Sequence, residues 1–251
     1  MDDATTRLVA QVASGLRAAG DPETAAGAKR YLKSDLTHYG VRLPVIRALV
    51  ADALRSHGPL PRPALVAAAR ELWRPEVHER RIAASVLLER QVTVLLAEDT
   101  ALLEELLRDS RTWALVDLVA GSVAGRLLLR EPTVVDVYRG WAAEEEQWIR
   151  RSGVLAFLLP LHDETGFRRH WPVFTDLADP LLADPRFFVR KALGWVLRQT
   201  GRRHPAEVHD WLLPRAGRAS GVTVREAVRY LGEARSASVT AAHRGGGPGV
   251  R

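Results

Sequence analysis

Residues 187–200 read FFVRKALGWVLRQT, a cationic pair followed by an apolar run at helical spacing. The same order of residues returns along the chain. Arg80-Arg81 lead into IAASVLL (82–88), Arg150-Arg151 into SGVLAFLL (152–159), and Arg225-Glu226 into AVRYL (227–231). The steps between these blocks are 70 from Arg80 to Arg150, 40 to Arg190 and 35 to Arg225. Half of the long step lands on Leu115, inside RTWALVDLVA (111–120). A register of about 35 to 40 residues therefore runs through five blocks, the length of a two-helix unit that buries its apolar face by stacking on its neighbours.

Outside these blocks the pattern stays helical. Leu8, Val9, Val12 and Leu16, like Ile82, Val86 and Leu87, recur at three and four. Breakers fall at Asp21-Pro22, Gly40 with Pro44, Pro59 to Pro63, Pro75, Pro132, Pro160, Pro180, Pro185, Pro205 and Pro214. They leave helical pieces of about 10 to 17 residues and no succession of short strands. The predicted fold is all-α, an α-solenoid of HEAT-like two-helix repeats, curved with a basic concave face. One domain is expected over 1–234, followed by a disordered tail over 235–251 that ends in HRGGGPGVR.

The composition removes several classes of function. In 251 residues, 47% of them hydrophobic, no stretch approaches the roughly 18 to 20 apolar residues of a membrane helix. The start, MDDATTRLVAQ, has no basic segment leading into a long apolar one, so no secretion signal is expected. Cysteine is absent, which excludes disulfides, thiolate metal sites and cysteine nucleophiles, and fits a reducing cytoplasm. The eight histidines form no HExxH, and there is no Walker loop, GxSxG or nucleotide-binding glycine fingerprint. No metal and no cofactor are expected.

Lys and Arg number 36 against 30 Asp and Glu, and only Lys29, Lys33 and Lys191 are lysines. A GC-rich genome produces such an arginine bias by itself, but arginine also suits bidentate phosphate contacts. On a solenoid, Arg80, Arg81, Arg150, Arg151, Arg190, Lys191 and Arg225 fall at equivalent positions, predicting a basic track for a DNA backbone. At the 115 register the basic pair is replaced by Trp113 and Asp117, four apart and so on one helical face. A carboxylate in a phosphate track weakens binding, so it points to chemistry; the alternative is an internal partner for a nearby arginine. Trp195 follows Lys191 at the same spacing and either faces the groove or packs in the core. Trp73, Trp141, Trp148, Trp171 and Trp211 are read as core or inter-repeat residues. Glu144-Glu145-Glu146 favour the start of the helix carrying Trp148.

The segments RYLKSDLTHYGVRLPVIR (30–47), RELW (70–73), TWALVD (112–117), QWIRR (147–151), FFVRKALGWVLRQT (187–200) and VREAVRYL (224–231) follow one another in a telling order. In that order the chain, from about residue 5 to 233, resembles the bacterial AlkD family of alkylpurine DNA glycosylases. The resemblance implies hydrolysis of the N-glycosidic bond of N3- or N7-alkylated purines in duplex DNA, monofunctional and cofactor-free. It implies that Asp117 is the catalytic carboxylate and that Trp113 and Trp195 contact the lesion nucleotide. It also implies that Arg151 is the catalytic-cleft arginine, and that Tyr31 and Lys33 of RYLK contact DNA. The family leaves the lesion in the duplex, so bulky adducts would be tolerated. Ala114, where an acidic residue is expected, and Ser34-Asp35 after Lys33 depart from the family pattern and bear on lesion preference. A monomer in the bacterial cytoplasm, associated with the nucleoid, is expected. The competing readings are a non-catalytic HEAT-repeat DNA-binding protein and a protein-interaction scaffold.

Overall fold

The computed structural model describes residues 2–246. Within them the chain is all-α, built from α1 (Asp3–Ala18), α2 (Pro22–Leu32), α3 (Leu43–His57), α4 (Arg62–Trp73), α5 (His78–Arg90) and α6 (Thr100–Arg108). Next come α7 (Trp113–Val116), a π-helical stretch (Asp117–Ala124), α8 (Gly125–Arg130), α9 (Val135–Ala143), α10 (Gln147–Leu155) and α11 (Glu164–Leu181). The chain closes with α12 (Phe187–Thr200), α13 (Pro205–Leu212), α14 (Gly221–Ala227) and α15 (Glu233–Gly245). The β pairing among the described residues is limited to one isolated bridge between Thr37 and Val77.

Local chemistry sets the helix starts. Asp2, Asp21, Glu146, Asp163 and Ser220 each accept a backbone N–H three residues on, satisfying a donor the helix itself leaves orphaned. Glu146 is thus the member of the acidic run that opens α10. Proline occupies the first turn of α2, α3, α4 and α13, where its missing N–H costs nothing. Pro180 departs from its reading as a breaker, because it lies inside the last turn of α11, which ends one residue later.

Two compact units divide the chain, Met1–Leu127 and Leu128–Arg251. In the first, α5 is buried along nearly its whole length and packs against α1, α3, α4 and the π-helical stretch. In the second, α12 packs against α10, α11 and α14, with Leu193, Val196 and Leu197 fully buried. The repeat step is visible in the side-chain pairings. Arg62 meets Asp99 37 positions on, Arg70 meets Glu105 at 35, Trp73 meets Asp109 at 36, Arg150 meets Asp184 at 34 and Arg215 meets Asp179 at 36.

The division at 234 is corrected by α15. It begins at Glu233 and packs on α13 and α14, burying Val239. Ser236 and His243 bond back to the carbonyls of Val228 and Ala216, giving this segment the internal partners that a disordered tail lacks. The rest of the expected tail, 247–251, lies outside the described residues.

Candidate functional site

In the first unit the site is built around Trp113. Its helix is launched by a turn in which Arg111 adopts a left-handed conformation, with Thr112 as the extended N-cap. The Asp117 N–H bonds to the Trp113 carbonyl, so the two residues are one α-turn apart, and both are half-buried. From Asp117 onward the backbone is π-helical to Ala124, a rare widening of the helix that recurs at functional sites. Tyr31, 74% exposed on α2, meets the Trp113 ring edge-on, with centroids 5.8 Å apart. Lys33 is exposed at the left-handed C-cap of the same helix.

Since α2 buries no residue of its own, Tyr31 is positioned from outside the helix. Glu79 of α5 is buried and accepts from the backbone N–H groups of Tyr39 and Gly40 at 2.9 and 2.8 Å. Asp21 N–H, at the other end of α2, donates to the Tyr39 carbonyl at 2.8 Å. Gly40 has φ +83°, and a Cβ there would sit 2.0 Å from the Asp21 carbonyl oxygen, so this junction requires glycine.

Trp113 is positioned by the same helix. Arg81, 1% exposed, donates to the Trp73 carbonyl at 3.3 Å and to the Asp109 carbonyl at 2.6 Å, and pairs with the Asp109 carboxylate at 2.8 Å. The Trp73 indole donates to that carboxylate at 3.1 Å. Burial pushes the Arg81 guanidinium below its ordinary pKa, and Asp109 pulls it back. The first turn of α5 therefore holds both the loop after Tyr31 and the loop before Trp113.

This corrects the basic track at its first station. Arg80 is also buried, donating to the Glu71 carbonyl at 3.1 Å, so neither guanidinium offers a phosphate-binding face. Beside them His38 and His78 stack at 4.5 Å, with His38 Nδ1 and Nε2 and His78 Nδ1 buried and unbonded. Burial, aided by His38 and Arg81, lowers the His78 pKa to about 3.

In the second unit, Arg151 is likewise buried beside an aromatic ring. It is 3% exposed, donates to the Phe188 carbonyl at 2.5 Å and lies 6.0 Å from the Phe188 ring centroid, which Trp148 packs against. Arg150 is held by Asp184 and by the carbonyls of Ala143 and Glu144, and Arg190 donates to the Asp184 carbonyl. Lys191 is exposed, its Nζ 5.9 Å from the centroid of the exposed Phe187 ring. Trp195 is half-buried, neither a core residue nor a fully presented one. Gly194 beside it allows close approach of α14, since a Cβ would meet Glu226 Cβ at 2.8 Å. Arg225 is exposed. Trp73, Trp141 and Trp211 are buried as expected.

The structure thus joins Tyr31, Trp113 and Asp117 in the first unit and Arg150 with Arg190 in the second. Sequence reasoning missed Glu79, Asp109, Asp184 and Arg186. A usable signal existed for two of them: Asp109 and Asp184 stand one repeat step after Trp73 and Arg150. Among the described residues no group of three or more His, Cys, Asp or Glu could hold a metal ion, and no helix is long and apolar enough to cross a membrane.

Residues 12–231 match the sequence model of the DNA alkylation repair enzyme family. A solved structure, described as a predicted DNA alkylation repair enzyme from Enterococcus faecalis, superposes with a TM-score of 0.74 at 21% identity. The match covers 85% of this chain and 97% of that one, and shows a shared fold. No curated protein matches the chain.

Proposed function

Because the chain belongs to the DNA alkylation repair enzyme family, we propose that it is a monofunctional glycosylase, hydrolysing the N-glycosidic bond of N3- and N7-alkylated purines in duplex DNA. The observation that carries the reading is Asp117, a half-buried carboxylate one turn after Trp113, at the point where the helix widens.

Alkylation at N3 or N7 gives the purine a positive charge. The base then leaves with the electrons of its glycosidic bond and needs no protonation, so no dedicated general acid is required. As the bond lengthens, positive charge develops on the deoxyribose. A fixed carboxylate stabilises that charge and orients the water that attacks C1′, half of the paired-carboxylate logic of glycoside cleavage. The water gives up a proton to the surrounding solvent, and the products are the neutral free base and an abasic site. The faces of Trp113 and the edge-packed Tyr31 support a cationic sugar through their ring electrons. Trp195, Lys191, Lys33 and Arg225 are assigned contacts to the DNA strand. Arg151 acts on the start of α12 through Phe188. The protein works as a monomer at the nucleoid. A site that selects by charge and bond lability, without a base-reading pocket, accepts bulky adducts.

The test is single-turnover release of 7-methylguanine and 3-methyladenine from alkylated duplex. Asp117→Asn is expected to lower release by about 10²-fold or more while melting like the wild type. Unchanged release by this variant removes Asp117 from the mechanism. Wild-type protein that binds duplex but frees no base is a DNA-binding protein without catalysis.

A further inference from the structure

At the start of α12 a cationic cluster is organised around Asp184, whose side chain is 2% exposed. Its Oδ2 accepts from Arg150 Nη1 at 2.9 Å and from Arg186 Nη1 at 2.8 Å. Its Oδ1 accepts the Arg186 backbone N–H at 2.8 Å, and its carbonyl accepts from Arg190 Nε. Arg150 uses its remaining nitrogens on the carbonyls of Ala143 and Glu144. Arg186 and Arg190 do not. Among the described residues nothing engages Arg186 Nε and Nη2 or Arg190 Nη1 and Nη2.

Three guanidiniums against one carboxylate leave two positive charges in excess, and the exposed Lys191 adjoins them. Here one acid orients two forks that keep donors unused, while Arg150 offsets the acid's own repulsion of an incoming anion. Planar forks four residues apart suit an anion with several acceptor oxygens on one centre. Forks already oriented lose little freedom on binding.

We propose that Arg186 and Arg190 form a seat for a phosphodiester of the DNA backbone, with Asp184 as its positioning residue. The partner rests on the repair reading above. The contact fixes register on the strand and carries no base specificity.

The experiment is fluorescence anisotropy of the full chain on a short undamaged duplex, titrated at several salt concentrations. Arg186→Gln is expected to weaken binding about tenfold and to reduce the salt slope by about one. Arg186 makes no side-chain cap to α12, so this variant leaves the helix start intact. Arg169→Gln removes the same charge from an exposed position on α11 and is expected to change the slope far less. Arg186→Lys, which keeps charge and loses the fork, should fall between wild type and Arg186→Gln. Asp184→Asn raises the net charge and is nevertheless expected to weaken binding, because the forks lose their anchor. A slope for Arg186→Gln equal to wild type or to Arg169→Gln overturns the seat, as does tighter binding by folded Asp184→Asn. Base release by the same wild-type preparation tests the repair reading separately. Release with an unmoved slope sinks the seat alone; absent release with a reduced slope sinks only the repair reading.

Discussion

At Arg80-Arg81 and at Arg190-Lys191 the chain carries two cations ahead of an apolar helical run, yet the first pair is inside the protein and the second is not. The difference lies in what surrounds each helix start. The first turn of α5 is covered by the end of α4 and by the loop before α7, which supply two carbonyls, a carboxylate and the Trp73 ring to Arg81. A charge is buried at tolerable cost only with such a set of acceptors. The first turn of α12 has Asp184 alone, so Arg190 is anchored by one nitrogen and Lys191 stays in solvent. Equal sequence at a repeat position therefore does not mean equal function. Arg81 positions the candidate catalytic helix, whereas Lys191 remains available to a partner.

Acid and single substitutions should separate the two helix starts. The largest effect is expected from acid. His78 has a pKa of about 3 in the fold against an ordinary 6.5, so the unfolded chain takes up its proton first. Stability should be unaffected by this group above pH 6.5 and fall steadily from there towards pH 3. Hydrogen exchange should place the loss in the first unit, and His78→Phe should flatten it. Acid loss confined to the second unit would contradict the burial argument.

Arg81→Met should cost about 2–3 kcal/mol in urea melts, below the range for a fully buried pair because Asp109 is partly in solvent. Its remaining folded fraction should release alkylated bases more slowly, since the loop before Trp113 loses its anchor. Gly40→Ala should cost more than about 1 kcal/mol, because the added Cβ collides with backbone at a left-handed position. Lys191→Met should change stability by no more than about 0.5 kcal/mol while lowering the salt dependence of DNA binding. Equal losses from Arg81→Met and Lys191→Met would erase the distinction drawn between the two pairs.

The chain's own text was enough for the helices, their approximate ends and the repeat step. Periodicity, caps and prolines act over one turn, and Trp113 with Asp117 is itself a one-turn relation. The text misled where a property depended on residues of other helices and loops. Arg80 and Arg81 read as surface cations because the acceptors that bury them come from Glu71, Trp73 and Asp109. The segment after 234 read as a tail because the helix that buries Val239 packs on α13, α14 and the turns that follow them.

Composition and periodicity alone made this protein helical, repetitive and free of cysteine chemistry, and set one carboxylate a turn away from a tryptophan. Packing settled which arginines face solvent, that Asp184 gathers three of them, and that the helix widens at Asp117. Periodicity is a property of neighbours along the chain, whereas burial, ion pairing and proton affinity belong to neighbours in space.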